Sequence, residues 1–311
     1  MLSMTYQLTT PVALLIFNRP DTTQRVFAEI ARAKSPKLLV VADGPRPDKH
    51  GEAEKCLATR AIIDQVDWPC EVLTNFSETN LGCKRRVSSG LDWVFHTVEE
   101  AIILEDDCLP EPTFFRYCEE LLETYRHDTR IMAISGDNFQ LGRKRTTDSY
   151  YFSRYFHCWG WASWQRAWQH YDAEMKLWPQ IKEGGWLTDL LADTQAVKSW
   201  SQIFQAVYDG QINTWDFQWT LTCWLQHGLI ILPNENLISN IGFTAEATHT
   251  TQNNKLANLP TTTMKFPLQH PLFMIQDKHA DDFTQKQQYN AVNLLARTKA
   301  KIKKILSYHE V

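Results

Sequence analysis

Ile102-Ile103-Leu104-Glu105-Asp106-Asp107 decides the reading of this chain: an apolar run with the character of a buried strand that stops on three consecutive acids. Burying a single unpartnered carboxylate costs on the order of several kcal/mol, so three at a strand end must face solvent, a cation or polar ligand groups. In open α/β sheets that place, outside the carboxyl ends of the strands, is where ligands bind. Oxygen-rich acid clusters suit Mg²⁺ or Mn²⁺, ions that usually hold phosphate oxygens as well.

Working outward, the same pattern recurs. Val12 to Phe17 is apolar and ends at Asn18-Arg19-Pro20, with Asp21-Thr22-Thr23 opening a periodic stretch to about Ala33. Leu38 to Ala42 ends at Asp43-Gly44-Pro45, and a helix follows from Glu52 to Val66. Cys70 to Leu73 is a third short strand, Gly82 to Thr97 a helix, and Ala101 to Leu104 the strand before the acids. Helix Thr113 to Tyr125 and strand Ile131 to Ile134 come next. Strands alternating with helices predict a mostly parallel sheet covered on both faces.

Beyond about residue 148 the composition changes, since ten of the twelve tryptophans lie between Trp159 and Trp224. Helices are expected over Leu187 to Tyr208 and Asp216 to His227, and a strand over Leu229 to Leu232. The expected organisation is one α/β domain over 1–250, divided into a strand-helix half (1–147) and an aromatic half (148–250) that completes a site, then an extension over 251–311. Within that extension Ala291 to Tyr308 reads as a basic amphipathic helix, with Leu295, Ile302 and Leu306 on one side and Arg297, Lys299, Lys301, Lys303 and Lys304 elsewhere.

With 311 residues, 43% of them hydrophobic, the chain can fill a large α/β core. Its 32 basic and 36 acidic residues, a net charge of -4, give no reason to expect nucleic acid as a partner. Seven cysteines without a Cys-x-x-Cys pair argue against a disulfide framework and a zinc knuckle. Met1 to Thr10 lacks a basic start and a long apolar core, and no stretch approaches the ~18 apolar residues of a membrane span. A cytoplasmic protein is expected.

The chain has neither G-x-x-x-x-G-K-[ST] nor a G-x-G-x-x-G after a strand, which disfavours Walker NTPases and nicotinamide dehydrogenases. Phosphates would instead be neutralised by a metal and by basic side chains, with Lys84, at the start of a helix, a candidate beside Arg19. Arg19, Asp43 and Glu105-Asp106-Asp107 on successive strand ends offer places for phosphate, base or ribose, and metal.

The order strand-Asn18-Arg19, strand-Asp43-Gly44, then Leu104-Glu105-Asp106-Asp107 followed by Pro110-x-x-Thr113-Phe114-Phe115 resembles the nucleotide-sugar half of GT-A glycosyltransferases, in particular the inverting N-acetylglucosaminyltransferase I type. The resemblance implies a Rossmann-like α/β sheet and sugar transfer from a nucleoside-diphosphate sugar, UDP favoured, with Mn²⁺ or Mg²⁺. The acid triplet would be that fold's version of the DxD motif. It implies that Asp107 coordinates the metal, that Asp106 touches ribose or metal, and that Glu105 supports the nucleotide. Arg19 and Asp43 match positions near the donor nucleotide, Asp43 accepting a hydrogen bond from a base edge. In this family a C-terminal loop often closes over the donor, and Ser239 to Phe243 with Thr248-His249-Thr250 would supply it, His249 completing the metal shell.

Inverting transfer needs a carboxylate to take the acceptor hydroxyl proton, and Asp216, opening the helix in Thr214-Trp215-Asp216-Phe217-Gln218-Trp219, is the candidate. Sugars stack their C–H faces on aromatic rings, which nominates Trp159, Gly160 and Trp161 for the donor sugar or acceptor and leaves Trp164 and Trp168 to the core. The expected activity is metal-dependent inverting transfer to a glycan or lipid-linked acceptor, with residues 291–308 meeting the inner face of the membrane. A sugar nucleotidyltransferase and a non-catalytic carbohydrate-binding protein on the same fold are the alternatives.

Overall fold

Alternation of apolar side chains along the first strands fixes both faces of the sheet at once. In β1 (Val12–Ile16), Val12, Leu14 and Ile16 enter one core layer while Ala13 and Leu15 enter the other. The same split holds in β2 (Lys37–Ala42). Strands buried on both faces need crossover helices, and these are present: α1 (Pro20–Ala33) follows β1, α2 (Glu52–Ala61) with a short 3-10 turn follows β2, and α3 (Gly82–Thr97) follows β3 (Glu71–Phe76). The structure, a computed structural model, describes residues 6–243 and 255–289.

The chain continues through β4 (Glu100–Glu105), β5 (Cys108–Pro110), α4 (Thr113–Thr124), β6 (Ile131–Ser135), β7 (Tyr150–Ser153) and β8 (Trp161–Trp164). Helices α5 (Gln165–Trp168), α6 (Trp178–Glu183), α7 (Leu187–Leu191), α8 (Thr194–Tyr208) and α9 (Asp216–Leu225) follow, then β9 (Leu229–Pro233), β10 (Ile238–Asn240) and α10 (Lys278–Thr284). Eight strands form one sheet in the order β3-β2-β1-β4-β8-β6-β9-β7. The pairs β1–β2, β2–β3, β1–β4 and β6–β9 are parallel, whereas β8 runs antiparallel between β4 and β6, and β7 antiparallel at the edge. The fold is therefore α/β, with a Rossmann-like, mostly parallel sheet flanked by helices.

Both antiparallel strands come from the aromatic region, where the sequence suggested loops and helices. Trp161, Ala162 and Trp164 are buried on alternating faces of β8, so tryptophan spacing compatible with a helix is here a strand packed on both sides. The expected helix over Leu187 to Tyr208 is two helices, because Ala192 takes a left-handed φ of 53° and Asp193 then caps α8, accepting from the Ala196 N–H at 2.6 Å. The boundary at 147/148 falls inside the sheet. Residues 255–289 pack back on the body, with Met264 and Leu268 in the core and Gln276 bridging Phe152 of β7.

Candidate functional site

Pairing of Leu15 with Glu105 sets the carboxyl ends of β1 and β4 side by side. The strand period then separates the acids. Glu105 shares the face of Ala101 and Ile103, the layer that holds Trp215 and Trp219 around the start of α9. Asp106 and Asp107 turn towards the β1 loop: Asp106 accepts from the Phe17 N–H at 3.2 Å, and Arg19 Nη1 reaches Asp106 at 3.2 Å and Asp107 at 2.6 Å.

Local sequence explains why Arg19 points there. Pro20 occupies the first position of α1 and holds Arg19 in a non-helical N-cap conformation, φ -121° and ψ 74°, while the Thr23 hydroxyl donates to the Arg19 carbonyl at 2.7 Å. The side chain is thus directed across the rim to the neighbouring strand end. On the far side, β10 pairs with β5 and carries Asn240 to Asp107, the Asn240 Nδ2 donating to Asp107 Oδ1 at 3.4 Å and the Ile241 N–H to the Asp107 carbonyl at 2.8 Å. Gly242 follows, where a Cβ would stand 2.1 Å from Asp107 Oδ2, so only glycine fits.

The acids outnumber the cation. Burial, then the charges of Asp107, Asp106 and Asp216, push Glu105 up to about 8. Burial also raises Asp106 to about 7, with Arg19 opposing and Asp107 adding to the rise. Burial alone would lower the Arg19 pKa, but Asp106 and Asp107 outweigh it and the net shift is upward. The Asp216 carboxyl, which also accepts from the Thr214 hydroxyl, is therefore close enough to the triplet to bear on its protonation. Stacking of Trp215 on Trp161, centroids 5.5 Å apart, and the packing of Trp219 against Trp168 at 5.0 Å hold the start of α9 in place.

Several expected residues have other partners. The Asp43 carboxylate accepts from the N–H groups of Gly44 (2.9 Å), Leu81 (2.8 Å) and Gly82 (3.0 Å) and from Asn80 Nδ2 (3.0 Å), so it fastens the start of α3 to the end of β2 instead of presenting a free edge to a base. Lys84 Nζ pairs with Glu174 at 3.1 Å, in the aromatic half. Trp161 is fully buried and cannot stack on a sugar. Gly160, at φ 61°, is required because a Cβ would meet Ile238 Cδ1 at 2.5 Å, a packing reason and not a ligand one. Trp159 is only half-buried and packs edge-on against Phe243 at 5.6 Å, which keeps it beside the Asn240–Gly242 turn. His249 and residues 291–308 lie outside the described residues.

Sequence reasoning missed a supporting set. Glu52 of α2 accepts from Asn18 Nδ2 at 2.9 Å and pairs with Arg46, whose guanidinium sits 5.6 Å from the Phe17 ring centre. Asn213 Oδ1 accepts from the Lys84 N–H at 2.9 Å and ties the loop leading to Asp216 onto the first turn of α3. At the end of β6, Asp137 and His157 form a fully buried pair at 2.7 Å; burial raises the Asp137 pKa and His157 opposes the rise. A strand-final Gly136-Asp137 was the only signal for that pair.

A divalent ion fits this site in charge more than in preformed ligation. Carboxylates exceed cations, and the donors are all hard oxygens. However, Arg19 takes one oxygen each of Asp106 and Asp107, and among the described residues no group of three His, Cys, Asp or Glu converges as a metal cage.

No protein-family model matches the chain, and no curated protein matches it. Similar solved structures include a UDP-glucose pyrophosphorylase complexed with UDP-glucose, at 10% identity and a TM-score of 0.35, covering 72% of this chain and 90% of that one. Another is 4-diphosphocytidyl-2C-methyl-D-erythritol synthase from Anaerococcus prevotii, at 10% identity and a TM-score of 0.32, covering 63% and 84%. Likenesses this loose carry no weight for function, and the fold described above rests on the chain's own sheet.

Proposed function

We propose that the chain is an enzyme acting on a nucleoside-diphosphate sugar held at the carboxyl ends of β1, β2 and β4, and that it transfers the sugar with inversion. The observation that carries this reading is the division of the acid triplet, with Asp106 and Asp107 gathered on Arg19 while Glu105 shares its surroundings with Asp216. Arg19 and the triplet would hold the diphosphate end of the donor. Asp216, fixed by the tryptophan cluster and tethered through Asn213, would accept the acceptor hydroxyl proton as that oxygen attacks the anomeric carbon. Trp159 would line the sugar side.

Asp107 with Asp106 would hold Mn²⁺ or Mg²⁺ together with donor phosphate oxygens, and the ion would screen the charge of the departing diphosphate. Arg19 would then move its contacts from the carboxylates to phosphate oxygens, a bidentate geometry that guanidinium suits.

A sugar nucleotidyltransferase on the same fold, the alternative that the sequence leaves open, is the second reading. Against it, Phe17-Asn18-Arg19-Pro20 after β1 has no glycine with which to wrap a triphosphate. Thermal stabilisation by a panel of UDP-, GDP- and dTDP-sugars with Mn²⁺ tests donor binding, since a ligand that binds only the folded state raises its melting temperature. Slow release of nucleoside diphosphate from the stabilising donor is the expected product. Pyrophosphate released from a nucleoside triphosphate and a sugar phosphate would establish the second reading, and no stabilisation by any donor would remove both.

A further inference from the structure

We propose that Asp137 and His157 are positioning residues that set Trp159 against the donor sugar, an assignment that rests on the sugar-side role proposed for Trp159. The two side chains meet at 2.7 Å beyond the end of β6, both fully buried, and the proposed chemistry uses neither. His157 Nε2 is buried with no hydrogen-bond partner among the described residues, a polar cost that a group serving only to fill the core would not carry.

Strand pairing places the pair at the site. β8 is antiparallel to both β4 and β6, and Trp161 stands opposite Ile103 on one side and Ser135 on the other. Continued by two residues, that register brings Glu105, Trp159 and Asp137 side by side along the rim. In keeping with it, the Trp159 N–H donates to Asp137 Oδ2 at 3.3 Å and the Gly136 N–H donates to the Gly160 carbonyl at 2.7 Å. Cys158, between His157 and Trp159, has its thiol pushed up by burial and then by the charges of Asp216, Glu105 and Asp137, so all three carboxylates stand within electrostatic reach of this loop.

Trp159 is held twice, and both holds end on the pair. Its backbone N–H is fixed by one Asp137 oxygen while the other oxygen meets His157. Its indole meets Phe139 edge-on at 4.9 Å, and Phe139 stacks on His157 with ring centroids 4.3 Å apart and planes at 24°. The Ser135 hydroxyl donates to the His157 carbonyl at 2.8 Å, which anchors the backbone of the imidazole to β6. Phe243, 5.6 Å from Trp159, follows the Asn240–Gly242 turn that packs on Asp107, so the indole also adjoins the acid triplet. A buried polar pair adds little stability over two apolar side chains of similar size, but its bonds are directional, and here they fix one half-buried aromatic side chain at the edge of the site.

The test labels the full chain with fluorotryptophan and follows the fluorine resonance that Trp159→Phe removes. In Asp137→Leu/His157→Phe, where apolar side chains replace both partners, melting should stay close to that of the parent while the Trp159 line shifts or broadens. Asp137→Asn keeps an acceptor for the Trp159 N–H, and a histidine carrying its proton on Nε2 accepts from the amide, so here the line should stay at the parent position. Binding is read with UDP-glucose, UDP-N-acetylglucosamine and GDP-mannose, each against UDP or GDP alone, with Mn²⁺. The double variant should bind UDP and GDP as the parent does and lose about three- to tenfold of the affinity that the sugar adds. A Trp159 line common to parent and double variant, or an undiminished sugar increment, would overturn the positioning role and leave the donor reading standing. A parent that gains nothing from any of the three sugars would overturn both. Should the double variant not melt cooperatively, Phe139→Leu, which removes only the ring between His157 and Trp159, decides the matter, and an unmoved Trp159 line there overturns the assignment as well.

Discussion

Replacing Arg19 with glutamine removes the only positive charge that touches Asp106 and Asp107 among the described residues, and its consequence can be worked from exposure. The side chains of Arg19, Asp106 and Asp107 are 28%, 10% and 13% exposed, between the fully buried and surface limits. Breaking a buried pair costs about 3–5 kcal/mol and a surface pair about 0–1 kcal/mol, so Arg19→Gln should cost about 1–3 kcal/mol. For a domain of this size that is a drop of about 2–5 °C in melting temperature.

The pH dependence separates an electrostatic loss from a packing one. With Glu105 near 8 and Asp106 near 7 in the folded protein, the folded state keeps protons that the unfolded chain releases from about pH 4 upward. Stability therefore falls as pH rises through the window up to about 8. Arg19 restrains both shifts, so its removal raises them further and steepens the fall. Denaturant melts of parent and variant at about pH 5.5 and about pH 8.5 should show a small deficit at the lower pH and a larger one at the higher. Added Mn²⁺ should restore more stability to the variant than to the parent, because the ion supplies the missing charge. A deficit that is the same at both pH values, or none at all, would refute the reasoning.

Asp107→Ala should abolish Mn²⁺-dependent stabilisation by the donor in thermal-shift titrations, and full retention would remove Asp107 from the metal set. Asp216→Asn should leave donor stabilisation unchanged and cut kcat by about 10²–10⁴-fold, and near-normal turnover would move the base elsewhere. Gly160→Ala combines a φ of 61° with a Cβ 2.5 Å from Ile238, so it should destabilise by about 1–3 kcal/mol in urea melts. A neutral result there would mean that the Ile238 side chain moves aside.

The parallel half of the sheet was legible because its physics is local. Val12 to Ile16, Lys37 to Ala42 and Glu100 to Glu105 are strands covered on both faces, which leaves near-continuous apolar runs, and each run stops on the polar residues that form the rim. The helix start at Gly82 was marked equally plainly, while α1 begins at Pro20, one residue before the Asp21-Thr22-Thr23 opening that the sequence suggested. The antiparallel strands β7 and β8 were not, since a buried aromatic strand and a buried aromatic helix draw on the same residues, and only pairing with β4, β6 and β9 distinguishes them.

The site divides along the same line. Sequence alone determined that Arg19, Asp43 and the acids at 105–107 stand at strand ends, because chain order and apolar run length settle that much. Only the tertiary structure decided how each is used: the Leu15–Glu105 register brings Arg19 onto Asp106 and Asp107, the α3 start absorbs Asp43, and β8 buries Trp161. Hydrogen-bond partners and burial depend on residues far apart in the chain, among them Asn240, Gly242 and Asn213, and no local pattern records them. The triplet thus enters as three similar acids in the sequence and leaves as two carboxylates on a guanidinium and one on the opposite face of the strand, a difference created by the strand period acting on a register that only folding sets.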